Sequence, residues 1–106
     1  MTEDAAKILR LIGLGARGRL VVVGVEQVRK SVIDGKVALA VVAADVSSNS
    51  REKILPLLKA RGISIIETAS AAALGGAVGR ETTAVVGVID RKLARGILAA
   101  RSTCGD

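Results

Sequence analysis

The sequence contains no phenylalanine, tyrosine, tryptophan or histidine, and one each of cysteine, proline and methionine in 106 residues. Each absence removes a class of chemistry. Without aromatic rings there is no stacking platform of the kind that holds bases in single-strand binders and RNA-recognition sheets. With no imidazole, a histidine general base, a Ser-His or Cys-His nucleophile pair and the common zinc sites all lack parts. A single thiol, Cys104, cannot form an intramolecular disulfide, so a reducing cytoplasm is the expected compartment. Near the end of the chain it reads as an incidental thiol rather than a nucleophile. The longest uninterrupted apolar run, residues 37–44, is far shorter than the ~20 residues of a membrane-spanning helix. The opening residues, MTEDAAKILR, are acidic before they are apolar, the wrong order for a secretory signal. No membrane partner, metal, cofactor or enzymatic activity is expected.

What remains is aliphatic and basic. Half of the residues are hydrophobic, so the core must be built from Val, Ile, Leu and Ala. Sixteen Lys and Arg face ten Asp and Glu, a formal charge of +6. That balance raises the odds of a polyanionic partner, because each neutralised phosphate releases condensed counterions. The length fits a single domain over residues 1–106, with a frayed tail after Arg101.

Along the chain, helical and extended patterns alternate. Ala5, Ile8, Leu11 and Ile12 have helical spacing, with Thr2 as the cap and an end near Gly13 or Gly15. The turn ARGR and the β-branched run 20–23 follow, and Gly24 opens a second helix that Gly35 closes. VALAVVAAD lacks period-two alternation, which predicts a strand covered on both faces. Asn49 and Glu52 have capping-box spacing for a third helix, in which Pro56 predicts a kink or local break before Arg61-Gly62. ISII is a strand, Ser70 begins a small alanine-rich helix, AVVGVI is another buried strand, and Asp90 caps a last helix with Leu93, Ile97 and Leu98 inward. The paired Gly75 and Gly76 suit either close packing or an early stop. Four strands alternating with helices predict an α/β fold, a three-layer α/β/α sandwich around a four-stranded mixed sheet.

Two stretches carry candidate chemistry. In GVEQVRKSVIDG, residues 24–35, the residues Glu26, Gln27, Arg29 and Lys30 fall on the side away from Val25, Val28 and Val32. A helix start offers unpaired N–H groups and a positive dipole end to phosphate. Lys30 and Arg29 would contact phosphate, and Gln27 and Glu26 base edges; on spacing alone Glu26 and Lys30 equally form a solvated ion pair. The second stretch is the loop from Gly79 through Arg80, Thr82 and Thr83, whose charge and hydroxyls could touch a sugar–phosphate backbone, although taken alone it reads first as an ordinary polar turn. Arg17 and Arg19 either extend a basic surface or solubilise their turn. Arg91, Lys92 and Arg95 sit near the positive dipole end of the last helix, a mildly unfavourable place for cations. Asp45 ends a buried strand with no partner base, so the expectation is that it caps its own turn. No dinucleotide or P-loop fingerprint is present: GLGARG follows a helix rather than a strand.

Four passages, GVEQVRKSVIDG, LAVVAADVSSNSREKILPLLKARGISII, ALGGAVG and AVVGVID, together resemble the kink-turn RNA-binding family of ribosomal proteins named L-seven-Ae and L-thirty-e, especially its small bacterial members. The likeness covers residues 8–98. It implies a three-layer α/β/α fold that grips a sharply bent helix–internal loop–helix RNA with the start of the second helix and the loop before the last strand. The family's Gly-x-Asn-Glu-x-x-Lys signature falls on Gly24, Glu26, Gln27 and Lys30. Gly24 and Lys30 match; Glu26 stands where the family has Asn, and Gln27 where it has Glu. An ionised Glu26 cannot donate to a guanine carbonyl. The loop, usually apolar after its glycine, is Arg80-Glu81-Thr82-Thr83 here.

The function this implies is non-catalytic binding of structured, kink-turn-like RNA in association with the ribosome. The alternative is a protein-interaction adaptor that kept the fold and lost specific RNA recognition. The expected partners are structured RNA, with ribosomal RNA a candidate, and a protein partner or an additional basic domain in a longer chain.

Overall fold

Three of the four strands contain no polar residue, and the two of them in the middle of the sheet are the most deeply buried. β2 (Leu39–Val42) and β4 (Val85–Val88) are buried at every position. The computed structural model describes residues 3–102, with side chains from 5 to 100; Thr2 and Cys104 lie outside the described residues, as does the tail predicted to fray apart from Ser102, which ends the last helix. Strand order is β1-β4-β2-β3, where β1 is Val21–Val23 and β3 is Ser64–Glu67. β2 and β3 are parallel, while β4 runs antiparallel to both β1 and β2. The sheet is therefore mixed, as expected.

Helices cover both faces. α1 (Glu3–Arg17), α4 (Ala71–Ala77) and α5 (Arg91–Ser102) press Ile8, Ile12, Leu74, Ala94 and Ile97 onto Leu39, Val41, Val86 and Val88. On the other face α2 (Val25–Ile33) and α3 (Ser48–Ala60) bring Val28, Val32, Ile54 and Leu58 onto Ala40, Val42 and Val85. The alternation of β2 residues between these two clusters is the period-two geometry of a strand with an apolar layer on each side. Each fully buried Leu, Ile or Val contributes ~1.5–3 kcal/mol, which lets a core without aromatic rings hold.

Several local expectations are corrected. α1 does not stop at Gly13 or Gly15 but runs to Arg17. Both glycines sit at close approaches: a Cβ on Gly15 would stand 2.3 Å from Leu93 Cδ2, and one on Gly13 would stand 3.1 Å from the Ala77 carbonyl oxygen. Packing against α5 and α4 thus overrides their low helix propensity. The cap of α3 lies two residues before Asn49: Ser47 Oγ accepts from the Ser50 N–H at 3.2 Å, and no capping box forms at Asn49. Half-buried Val46, packed against both apolar clusters, fixes where the chain can turn into the helix. Pro56 lies inside α3 without interrupting it. Its ring and Glu52, the residue whose carbonyl it leaves unpaired, are both exposed, so the gap in the helix hydrogen-bond ladder lies on the solvent side. Asp45 does not cap its own turn; its Oδ1 accepts from the Ala71 N–H at 2.7 Å and holds the start of α4.

Gly75 fixes the path of the chain into β4. A Cβ there would lie 2.7 Å from Thr82 Cα and 2.8 Å from its nitrogen, so only glycine lets the returning loop lie against α4. Gly76, beside it, has open space. Gly75→Ala is expected to destabilise by about 1–3 kcal/mol, read as a fall of roughly 4–8 °C per kcal/mol in thermal unfolding. Gly76→Ala should instead gain about 0.5–1 kcal/mol, and equal melting temperatures for the two variants would refute the close-approach role.

Candidate functional site

Because β4 runs against the other strands, its beginning lies beside the ends of β1, β2 and β3. Gly24 makes this explicit. With φ 96 and ψ 153 it turns the chain from β1 into α2 in one residue, its N–H donating to the Val85 carbonyl at 3.0 Å while its own carbonyl accepts from Val28 N–H at 2.9 Å. Nothing lies within 4 Å of where a Cβ would be, so the positive φ is what calls for glycine. The N–H groups of Val25, Glu26 and Gln27 have no acceptor among the described residues. They form a donor patch at the positive end of the helix.

Beside it comes the loop 79–83. Gly79 takes φ 79, Arg80 N–H donates to the Gly75 carbonyl at 2.8 Å, and Thr83 N–H to the Ala71 carbonyl at 2.9 Å. Ala43 N–H then bonds the Ala84 carbonyl at 2.9 Å, joining the loop to the end of β2. The structure therefore brings the start of α2 and the end of this loop, Thr83 and Ala84, to one pole of the sheet, which spacing alone left open, whereas Gly79 lines a depression with Gly13, Ala16 and Arg17 at the end of α1. This is the end at which α/β sheets commonly hold ligands.

The individual residues divide. Glu26, Gln27 and Lys30 are exposed on α2, as are Gly79, Arg80 and Thr82 in the loop. Thr83 is only 4% exposed and its hydroxyl has no partner, so it belongs to the packing of the loop and presents nothing to solvent. Arg29 is half-buried and donates from Nη1 to the Lys53 carbonyl at 3.2 Å, tying α2 to α3. Glu26 and Lys30 do not form the expected pair; the one ion pair within 4 Å among the described residues joins Arg51 to Glu67 at 2.7 Å. Glu26, Arg29, Lys30, Ile33 and Asp34 line a shallow depression of about 280 Å³ along the outside of α2. No group of three or more metal-ligating side chains exists among the described residues.

Sequence reasoning missed the charge of this pole. Asp45 and Glu67, distant from Glu26 and Glu81 in sequence, end their strands on it. With them, four carboxylates stand against Lys30, Arg80 and the paired Arg51. Also missed was Ala69, a non-glycine residue at φ 62, whose carbonyl accepts from Ala44 N–H at 2.8 Å and closes the floor of the pole. Neither could be found without strand pairing.

The model of the ribosomal protein L7Ae/L30e/S12e/Gadd45 family matches residues 6–96, nearly the whole sandwich. The chain belongs to this family. It is 30% identical over 89 residues to the RNA-binding protein YlxQ of Bacillus subtilis, covering 84% of this chain and 89% of that protein. A solved protein of unknown function from Bacillus halodurans superposes with a TM-score of 0.85 at 33% identity, over 92% of this chain and 98% of that one. The Giardia lamblia 15.5kD RNA binding protein shares the fold, with a TM-score of 0.80 at 24% identity, over 97% of this chain and 88% of its own. The match begins before the middle of α1 and ends within α5, so every element that shapes the α2 pole is a family element. No helix among the described residues is long and apolar enough to cross a membrane.

The Arg51–Glu67 contact makes the local electrostatics testable. The hydrogen bond from Arg51 holds the Glu67 carboxyl below its ordinary range, and the Arg51 guanidinium is correspondingly raised. Arg51→Met is expected to raise Glu67 back towards the ordinary carboxylate range in an NMR titration. A lowered folded pKa adds stability above the unfolded value and loses it as pH falls through the folded one. The native chain should therefore lose slightly more stability than Arg51→Met on acidification below about pH 4.3.

Proposed function

We propose that this chain is a non-catalytic binder of structured RNA with a sharply bent, kink-turn-like backbone, associated with ribosomal RNA or an RNA of that kind. The observation that carries this reading is the Gly24–Val85 hydrogen bond, with the donor patch of α2 and the end of the 79–83 loop lying side by side on one pole. A bent backbone exposes closely spaced phosphates to such a patch. The free N–H groups of Val25, Glu26 and Gln27, with Lys30 and Arg80, would neutralise them. Family membership and the relative named as RNA-binding support the ligand class. The positive φ of Gly24 keeps the approach free of a side chain, and Thr82 adds a hydroxyl at the rim.

A protein-interaction adaptor is the second reading, and the acidic balance of the pole favours it. Glu26 and Gln27 depart from the family's Asn and Glu, and the carboxylates of Glu26 and Glu81 would oppose phosphate. In the RNA reading these groups restrict binding to backbones whose bend keeps phosphates over Lys30 and Arg80, so that shape supplies the selectivity.

Titrating a kink-turn RNA and a fully paired duplex of equal length at two salt concentrations separates the readings. The RNA reading expects preference for the kink-turn, a salt slope shallower by about 1 in Lys30→Ala, and tighter binding when Glu26→Asn and Gln27→Glu restore the signature. Absence of any kink-turn preference in the native chain would leave the adaptor reading.

A further inference from the structure

The α2 pole is acidic in balance, yet the chain is basic, so its cations must lie elsewhere. The topology gathers them at the opposite pole, where β1, β2 and β3 begin and β4 ends. Ile89 N–H donates to the Leu20 carbonyl at 2.9 Å and Ala38 N–H to the Val88 carbonyl at 2.8 Å, while Leu39 is paired with Ser64. These contacts bring together four connections distant in sequence: the α1–β1 turn, the α2–β2 turn, the α3–β3 turn and the start of α5. On them stand Arg17, Arg19, Lys36, Arg61, Arg91 and Lys92, all exposed. The acids at this pole are Asp34 and Asp90. Asp90 is engaged, its Oδ2 accepting from Leu93 N–H at 2.8 Å. Six cations against two acids give this pole four of the chain's six net positive charges.

None of the six cations has an ion-pair partner within 4 Å among the described residues. Their placement also runs against local stability. α5 has no acid in its first turn, and Arg91 and Lys92 occupy the positive end of its dipole, where acids are preferred. A folded chain selected for stability alone would reverse those charges. Phosphate approaching α5 would turn the same two cations, and the dipole with them, into attraction.

We propose that this pole is a second RNA-contacting surface, one that binds duplex backbone phosphates without regard to sequence, while the α2 pole reads the bend. The assignment of RNA as its ligand rests on the reading of the preceding section; the surface itself rests on the charge placement. The chain measures 30 × 29 × 26 Å, so the start of α2 and the start of α5, at opposite ends of the strands, stand far enough apart to engage different segments of one folded RNA. Most of the salt dependence of binding then arises at the basic pole, and most of the selectivity at the other.

The test titrates a fully paired RNA duplex, with no kink-turn, across a salt series. Arg91→Glu combined with Lys92→Glu is expected to lose at least tenfold in duplex affinity and to flatten the salt slope by about 2, since each phosphate contact contributes about 0.9. The variant should keep the kink-turn preference of the native chain and melt at a higher temperature, because acids now face the helix dipole. Arg17→Gln with Lys36→Gln, on separate elements of the same pole, should lose affinity in the same sense. Lys7→Glu with Lys53→Glu, on α1 and α3 away from this pole and an equal change in net charge, should leave the duplex slope nearly intact. Equal losses in that variant and the α5 variant, or an unchanged slope in the α5 variant, would overturn the proposal. So would a charge-dependent affinity confined to phosphatidylserine vesicles. Loss of duplex binding in the α5 variant, in a chain that shows no kink-turn preference, would uphold this surface and refute the bend-reading role of the α2 pole.

Discussion

A single antiparallel strand decides where everything else lies. β4 enters the sheet between β1 and β2 and runs opposite to both, so its leading loop arrives where the other three strands finish. Had it run parallel, the 79–83 loop and the start of α2 would have been at opposite ends. The bond from Gly24 N–H to the Val85 carbonyl locks that arrangement, because it is at once the last rung of the β1–β4 ladder and the hinge from strand to helix. Burial of β4 on both faces makes the arrangement costly to undo.

The same strand direction separates the charges. Loops before β4 and after β1, β2 and β3 collect Glu26, Asp45, Glu67 and Glu81 at one pole, whereas loops at the other collect arginine and lysine. The donor patch of α2 therefore sits in a mixed field rather than a basic one. In the proposed reading selectivity and attraction are physically divided: backbone N–H groups and glycine geometry act at short range, while uncompensated charge acts across about a Debye length, ~10 Å at 0.1 M salt. A protein working in that way would hold one RNA feature by shape and gain affinity from another.

Much of this was legible in the chain itself. All four strands, the glycine closing α2 (Gly35, φ 73), the Ser70 and Asp90 caps and the three-layer arrangement follow from hydrophobic period and capping chemistry. The misreadings share a cause. Gly13 and Gly15 look like stops until α4 and α5 press against them. Asp45 looks local until α4 arrives to use it, and Thr83 looks exposed until the Gly75 contact draws its neighbour inward. In each case a contact distant in sequence outweighed a local preference worth about 1 kcal/mol or less.

The sequence by itself determined the composition of the core, the alternation of elements and the absence of side chains for imidazole, aromatic-stacking or zinc chemistry, because those depend on residue type and spacing alone. The family resemblance read from it implies Gly24 and Lys30 as matches to the signature and Glu26 and Gln27 as departures. Only the tertiary structure decided that the start of α2 and the end of the 79–83 loop share a pole, that Arg29 and Thr83 serve packing, and that the basic residues gather at the far end. Those facts depend on strand direction and pairing, which join residues across the chain and leave no periodic trace within any one segment.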